Sequence, residues 1–234
     1  MIKLATPPGH AVVIASGGLD STTVAYWLAS LGSRMTLLSF DYGQRHRKEL
    51  DHARDVAQLL NASHEVVDLT SVGRLLGGSA LTDTAVQVPD GHYSDQSMRA
   101  TVVPNRNMIM LSVAVGAAVA AGADAVAFGA HAGDHPIYPD CRSEFFDQFA
   151  ETARAATNGF HAEGFDLIAP FLALTKADIV TVGVQVGVPF ERTWSCYKGG
   201  PVHCGTCGTC TERREAFEVA GVEDPTEYAT GEGR

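Results

Sequence analysis

A chain of 234 residues, 45% of them hydrophobic, has room for one substantial core with at most a small appendage. Its formal net charge of −10 excludes the broad basic face that neutralises a nucleic-acid backbone, and favours a small-molecule substrate. The opening Met1–Pro8 lacks the pattern of a secretory signal, and the longest apolar stretch, Leu111–Ala121, is too short to span a bilayer. A soluble, cytoplasmic protein with no membrane partner is expected.

In chain order, Ala11–Ala15 is a short apolar run that reads as a strand. It ends in two glycines and is followed by a helix over Thr22–Leu31, with Gly32 as its stop. Met35–Phe40 predicts a second strand, Arg47–Leu60 a helix with Leu50, Ala53, Ala57 and Leu60 on one face, and His64–Leu69 a third strand. Gly77 to Val103 is rich in Gly, Ser, Asp and Pro without periodicity, long enough for a lid or a dimer-contact loop. Met108–Ala121 then predicts a helix, Ala125–Phe128 a strand, Phe145–Thr157 a helix, Leu167–Ala169 a strand and Lys176–Val186 a helix. Strands alternating with helices imply a doubly wound α/β fold with a mostly parallel sheet over residues 1–192. From Thr193 the composition shifts to Gly, Cys and His before a helix over Thr211–Ala220, so residues 193–234 read as a small metal-held module packed on the main domain.

The turn Ser16-Gly17-Gly18-Leu19-Asp20-Ser21-Thr22 between the first strand and helix is the strongest chemical signal. Backbone N–H groups, hydroxyls and a helix dipole converge there, and an anion reaches the backbone only where no Cβ intrudes. Asp20 is placed to hold Mg²⁺ or to cap the helix. The bland alternative is a capped strand-to-helix turn. The turn lacks the Walker lysine and the dinucleotide-site glycine spacing, and it is similar to the SGGxDS signature of PP-loop ATP pyrophosphatases. Cys196, Cys204, Cys207 and Cys210 form the second signal. Four thiolates close the tetrahedral shell of a structural Zn²⁺, while Cys-x2-Cys-x2-Cys also occurs in iron–sulfur proteins. His203 reads as a surface residue or a support beside the ligands, and Cys141 as packing.

With both motifs placed, nearly the whole chain resembles the 7-cyano-7-deazaguanine synthase family. The resemblance rests on Ser16–Thr23, on Phe40-Asp41-Tyr42-Gly43-Gln44-Arg45-His46, on Val103-Pro104 with Arg106-Asn107, on Tyr138-Pro139-Asp140-Cys141-Arg142-Ser143-Glu144-Phe145, on Pro170–Lys176 and on the four cysteines. It implies an ATP-dependent ligase that adenylates 7-carboxy-7-deazaguanine, captures it with ammonia as the amide, and activates the amide again for dehydration to the nitrile. Zinc and a homodimer come with it. Two departures stand out: Asn105 replaces a glycine, and Asp134-His135-Pro136-Ile137 replaces a glycine-containing approach to Tyr138. Competing classes are a relative that joins the activated acid to another amine, including a protein amine, and a tRNA sulfur-transfer enzyme.

On this reading Ser16, Gly17, Gly18, Leu19, Asp20, Ser21 and Thr22 hold the ATP phosphates, with Lys176 and Arg106 as candidate catalytic cations beside Asp20. Lys176 opens a helix, where its charge is comfortable only with an anion nearby. Asp41, Tyr42 and Gly43 follow the second strand at its carboxyl end and are candidates for the adenine. Arg106, Asn107, Asp140 and Arg142 are candidates for the acid substrate, arginine being suited to bidentate carboxylate binding.

Overall fold

The structure is a computed structural model and describes residues 4, 6–92 and 98–229. Its centre is a five-stranded, wholly parallel sheet of order β3-β2-β1-β4-β5. The strands are β1 (His10–Ile14), β2 (Arg34–Asp41), β3 (Ser63–Asp68), β4 (Ala125–Ala127) and β5 (Asp166–Ile168). β1 lies in the middle, so both its faces need apolar cover. Ala11 and Val13 enter one core and Val12 and Ile14 the other, as a doubly covered strand requires.

The helices are α1 (Leu19–Ser30), α2 (Glu49–Leu59), the single turn α3 (Thr70–Gly73), α4 (Arg106–Ala120), α5 (Ser143–Ala156), α6 (Lys176–Val186) and α7 (Gly208–Ala220). α1, α2, α6 and α7 supply one core through Leu28, Ala53, Ile179 and Phe217. α4 and α5 supply the other through Leu111, Ala114, Phe146 and Phe149. Every strand and long helix expected from the sequence is present, and the offsets at the ends have local causes. α1 starts at Leu19 because Gly18 is already extended and the helix begins inside the glycine-rich turn. α2 starts at Glu49 because Arg47 and Lys48 lie in a preceding turn and reach to Asp41 and to the Pro201 carbonyl. α7 starts at Gly208, which places Cys210 in its first turn.

Part of the irregular stretch from 77 to 103, residues 93–97, lies outside the described residues. Before it, the Arg45 guanidinium donates to the carbonyls of Asp83 and Val86 at 2.9 Å each. Ala80 and Val88 pack on Cys196, Cys207 and Cys210. Residues 80–91 therefore clasp the cysteine segment instead of standing free as a lid. Among the described residues no helix is long and apolar enough to cross a membrane.

Arg213 of α7, 1% exposed, ties the end of the chain to the body. It donates to Thr193 Oγ1 (2.7 Å), Ser195 Oγ (3.2 Å), the Phe190 carbonyl (3.0 Å) and Asp224 Oδ1 (3.2 Å). Removing one member of a buried charge pair strands the other. Arg213→Ala should cost about 3 kcal/mol or more in urea unfolding; a midpoint unchanged from wild type would show that the pair contributes little.

Candidate functional site

β1 and β4 are neighbours, but the chain leaves them toward opposite edges of the sheet, so a crevice opens between their carboxyl ends. A cavity of about 200 Å³, open to solvent, occupies this place. Its walls come from the β1–α1 turn, the end of β2, the start of α2, α4, the segment after β4, Lys176 and the stretch Trp194–Tyr197.

The turn is built from hydroxyls. Ser21 Oγ accepts from Ser16 N (3.2 Å) and meets Ser16 Oγ (3.1 Å), and Ser16 Oγ accepts from Gly18 N (3.3 Å). Gly17 has φ +76°, and a Cβ there would stand 2.2 Å from the Glu49 carbonyl oxygen. Both facts demand glycine. The Gly17 carbonyl accepts from Trp194 N at 2.9 Å, which binds the turn to the segment leading into the cysteines. Ser16, Gly18, Leu19, Asp20 and Ser21 line the cavity. Gly17 shapes the turn from behind, and Thr22, 1% exposed, is turned into the protein one step along α1.

Lys176 meets the anions that its helix-start position calls for. Its Nζ lies 3.4 Å from Asp20 Oδ2 and 2.7 Å from Glu212 Oε2. Burial works against the ammonium, but the charges of Asp20, Glu212 and Asp134 outweigh it and hold its pKa above that of an ordinary lysine. Asp20 Oδ1 is buried without a partner. Beside it, burial pushes the Asp134 carboxyl up despite His131, whose Nε2 lies 3.7 Å away.

On the opposite wall Arg106 Nη1 donates to the Tyr42 hydroxyl at 3.1 Å. Among the described residues no carboxylate lies within 4.0 Å of this guanidinium. Burial pushes the Tyr42 phenol up to about 12, so it remains neutral. Asn107 lines the cavity beside Arg106. Asn105 has φ +58°, the left-handed conformation that glycine favours and asparagine tolerates, which explains its standing in a glycine's place.

Asp41, Gly43, Asp140 and Arg142 each have partners within the protein. Asp41 accepts from Gly43 N (3.0 Å) and from Arg47, so both Asp41 and Gly43 close the turn after β2, and Phe40 and Tyr42 face the cavity instead. Asp140 accepts from Asn107 N (3.0 Å) and Nδ2 (3.2 Å), so it caps α4 and orients Asn107. Arg142 donates to the His135 carbonyl at 2.8 Å, away from the cavity. Cys141 lines the cavity, but burial, with Asp134 and Asp140 adding to it, raises its thiol well above the usual range, which leaves no thiolate nucleophile.

The sulfur atoms of Cys196, Cys204, Cys207 and Cys210 all lie within 4.8 Å of one another. Backbone amides of Cys204, Thr206 and Cys207 donate to two of them at 3.2 to 3.4 Å. These are the features of a site for a metal ion. His203 is no surface residue: at 6% exposed it stacks at 4.2 Å on Trp194 and its Nε2 accepts from Ser195 N. Burial first, then Arg213 and His52, push its pKa down to about 4, so it is a neutral support beside the ligands.

The profile of the family described as "Queuosine biosynthesis protein QueC" matches residues 10–221. This chain belongs to the QueC family. A relative from Rhizobium rhizogenes named 7-cyano-7-deazaguanine synthase is 57% identical over 93% of this chain and 91% of its own length. One of the same name from Paracoccus denitrificans is 56% identical over 93% and 92%. Among solved structures, the U34-tRNA thiolase NcsA from Methanococcus maripaludis, with its [4Fe-4S] cluster, aligns at TM-score 0.51 and 14% identity, covering 92% of this chain and 66% of its own. That likeness establishes the shared fold.

In and around this QueC-family cleft the sequence reading missed Glu212, His131 and Gly129. Glu212 reaches Lys176 from α7 across 36 residues, with no spacing to announce it. Gly129 was more legible: it follows β4, and a Cβ on it would lie 3.2 Å from Ser21 N. Gly17→Ala is expected to abolish detectable ATP binding and to lower stability by about 2 kcal/mol or more, from left-handed strain plus the Glu49 clash. Calorimetric titration with ATP and a urea melt check both, and wild-type affinity in the variant would show that the turn does not hold the nucleotide.

Proposed function

We propose that this chain is an ATP-dependent ligase that converts 7-carboxy-7-deazaguanine and ammonia into 7-cyano-7-deazaguanine, releasing AMP and pyrophosphate. The observation that carries the reading is Arg106, an enclosed guanidinium without a carboxylate partner among the described residues, in the same cleft as the hydroxyl-rich turn. A cation so placed suits the carboxylate of a planar acid, with Asn107, oriented by Asp140, at its edge. Phe40 and Tyr42 offer the adenine an apolar wall at the end of β2.

Ser16, Ser21 and the Gly18 amide would cradle the phosphates, and Lys176 would meet the negative charge that grows on pyrophosphate as it leaves. The orphaned Asp20 Oδ1 fits a Mg²⁺ ligand; when bound, the ion would neutralise phosphate charge beside Lys176. The amide formed first keeps its place on Asn107 and Arg106 while its oxygen is activated by a second ATP, so that AMP carries the oxygen away and the nitrile remains.

The four cysteines fit a single tetrahedral Zn²⁺. Zinc–sulfur bonds of about 2.3 Å set the sulfurs of a tetrahedron about 3.8 Å apart, and Cys204 and Cys210 stand 3.9 Å apart. An iron–sulfur cube ligates each thiolate at a different iron and holds them farther apart. A homodimer and a cytoplasmic location complete the reading, and sedimentation tests the first.

Incubating the protein with the acid, ATP and ammonium should yield the nitrile by mass spectrometry, with AMP and pyrophosphate. ADP as the sole nucleotide product, or no turnover of this acid, would sink the assignment. Lys176→Met should lower kcat/KM for ATP by about a hundredfold or more while leaving the fold intact by circular dichroism. Metal analysis should find one zinc per chain, and its removal by a chelator should weaken ATP binding, because Trp194 N holds Gly17. Stoichiometric iron with visible absorbance would overturn the zinc assignment.

A further inference from the structure

Glu49 is a cleft carboxylate for which the scheme above has no use. It opens α2, and its side chain is 12% exposed. Oε1 accepts from Gln44 Nε2 at 3.0 Å, and Oε2 lies 3.3 Å from His46 Nε2. Gln44, 1% exposed, cannot turn, because the same amide nitrogen donates to the Phe40 carbonyl (2.9 Å) and its oxygen accepts from Tyr42 N (2.9 Å). His46 is 3% exposed, also lines the cleft, rests on the Tyr197 ring at 5.0 Å, and keeps its Nδ1 without a partner.

Asp20, the carboxylate across the cleft, has Lys176. Among the described residues, Glu49 has no Lys or Arg within 4.0 Å. Its charge is felt at Tyr42, the phenol that Arg106 holds, and its backbone abuts Gly17 of the phosphate turn. Apart from His46 at 3.3 Å and the amino-terminal dipole of α2, no fixed positive charge meets this clamped anion, so its compensation is left to partners that are neutral or only partly charged. A small cationic ligand supplies it, and bracing by Gln44 and His46 fixes where that cation sits.

We propose that Glu49, braced by Gln44 and His46, is the docking site for the ammonium that this ligase consumes; the inference rests on the ligase reading. In the step, Glu49 takes one proton from ammonium, and the freed lone pair forms the C–N bond to the acyl carbon of the adenylate. The C–O bond to AMP breaks, with its electron pair leaving on the AMP phosphate. That phosphate also accepts the second proton shed by the new amide nitrogen.

Glu49→Gln removes the charge and keeps the shape. Exchange of labelled pyrophosphate into ATP with the acid alone, which needs no ammonium, should stay within about twofold of wild type, while KM for ammonium should rise about tenfold or more. Methylammonium should compete with ammonium in the wild type. An unchanged KM, or loss of exchange in step with amide formation, overturns the inference and leaves the ligase reading standing. A wild-type measurement decides independently of how the variant folds: KM expressed as total ammonium should be flat between about pH 7 and 8.5, and a fall of about tenfold per pH unit means that neutral ammonia binds and Glu49 is not its site. Absence of wild-type exchange removes the ligase reading itself, and this inference with it.

Discussion

The hydrogen bond from Trp194 N to the Gly17 carbonyl is the constraint on which the rest of the cleft depends. Gly17 bends in the left-handed region, with the start of α2 pressed against the space where a side chain would stand. Its carbonyl is satisfied from outside the turn, by Trp194 N. The donor comes from a residue two positions before Cys196, and the Trp194 indole donates to the Cys196 carbonyl at 2.8 Å. The cysteine cluster is thus coupled through two hydrogen bonds to the glycine-rich turn.

Charge is distributed across the cleft with the same economy. Lys176 is shared by Asp20 and Glu212, which keeps a lysine charged at the start of a helix, where the dipole opposes it. Arg106 is held by a phenol instead of a carboxylate, so its charge remains available. The first arrangement tethers its cation between two carboxylates, and the second leaves its cation without one among the described residues.

The sheet was legible in the sequence because its strands are buried on both faces and their apolar runs stand clear of the Gly and polar residues around them. The turn between β1 and α1 was legible because paired glycines at a strand end mark a sharp bend, and the structure has Gly17 at φ +76° there. The cysteines were legible because thiolates at such spacing converge on one point. What sequence could not give was direction. Asp41, Asp140 and Arg142 carry suitable chemistry, yet each turns to a backbone or side-chain partner a few residues or one helix away. Glu212, in contrast, gains its place only through the packing of α7 on α6. Pairing across such sequence distances is decided by tertiary packing, which local periodicity does not record.

The cleft takes a wall from nearly every part of the chain, the last of them being Trp194–Tyr197 and Thr209. During synthesis the sheet and the phosphate turn emerge from the ribosome well before the residues that brace them, so a nascent chain passes through a stage with a formed scaffold and an unfinished binding site. Until Trp194 emerges Gly17 lacks its outer donor, and until α7 emerges Lys176 lacks Glu212. The outer brace of the glycine-rich turn and the partner of Lys176 therefore arrive well after the turn itself.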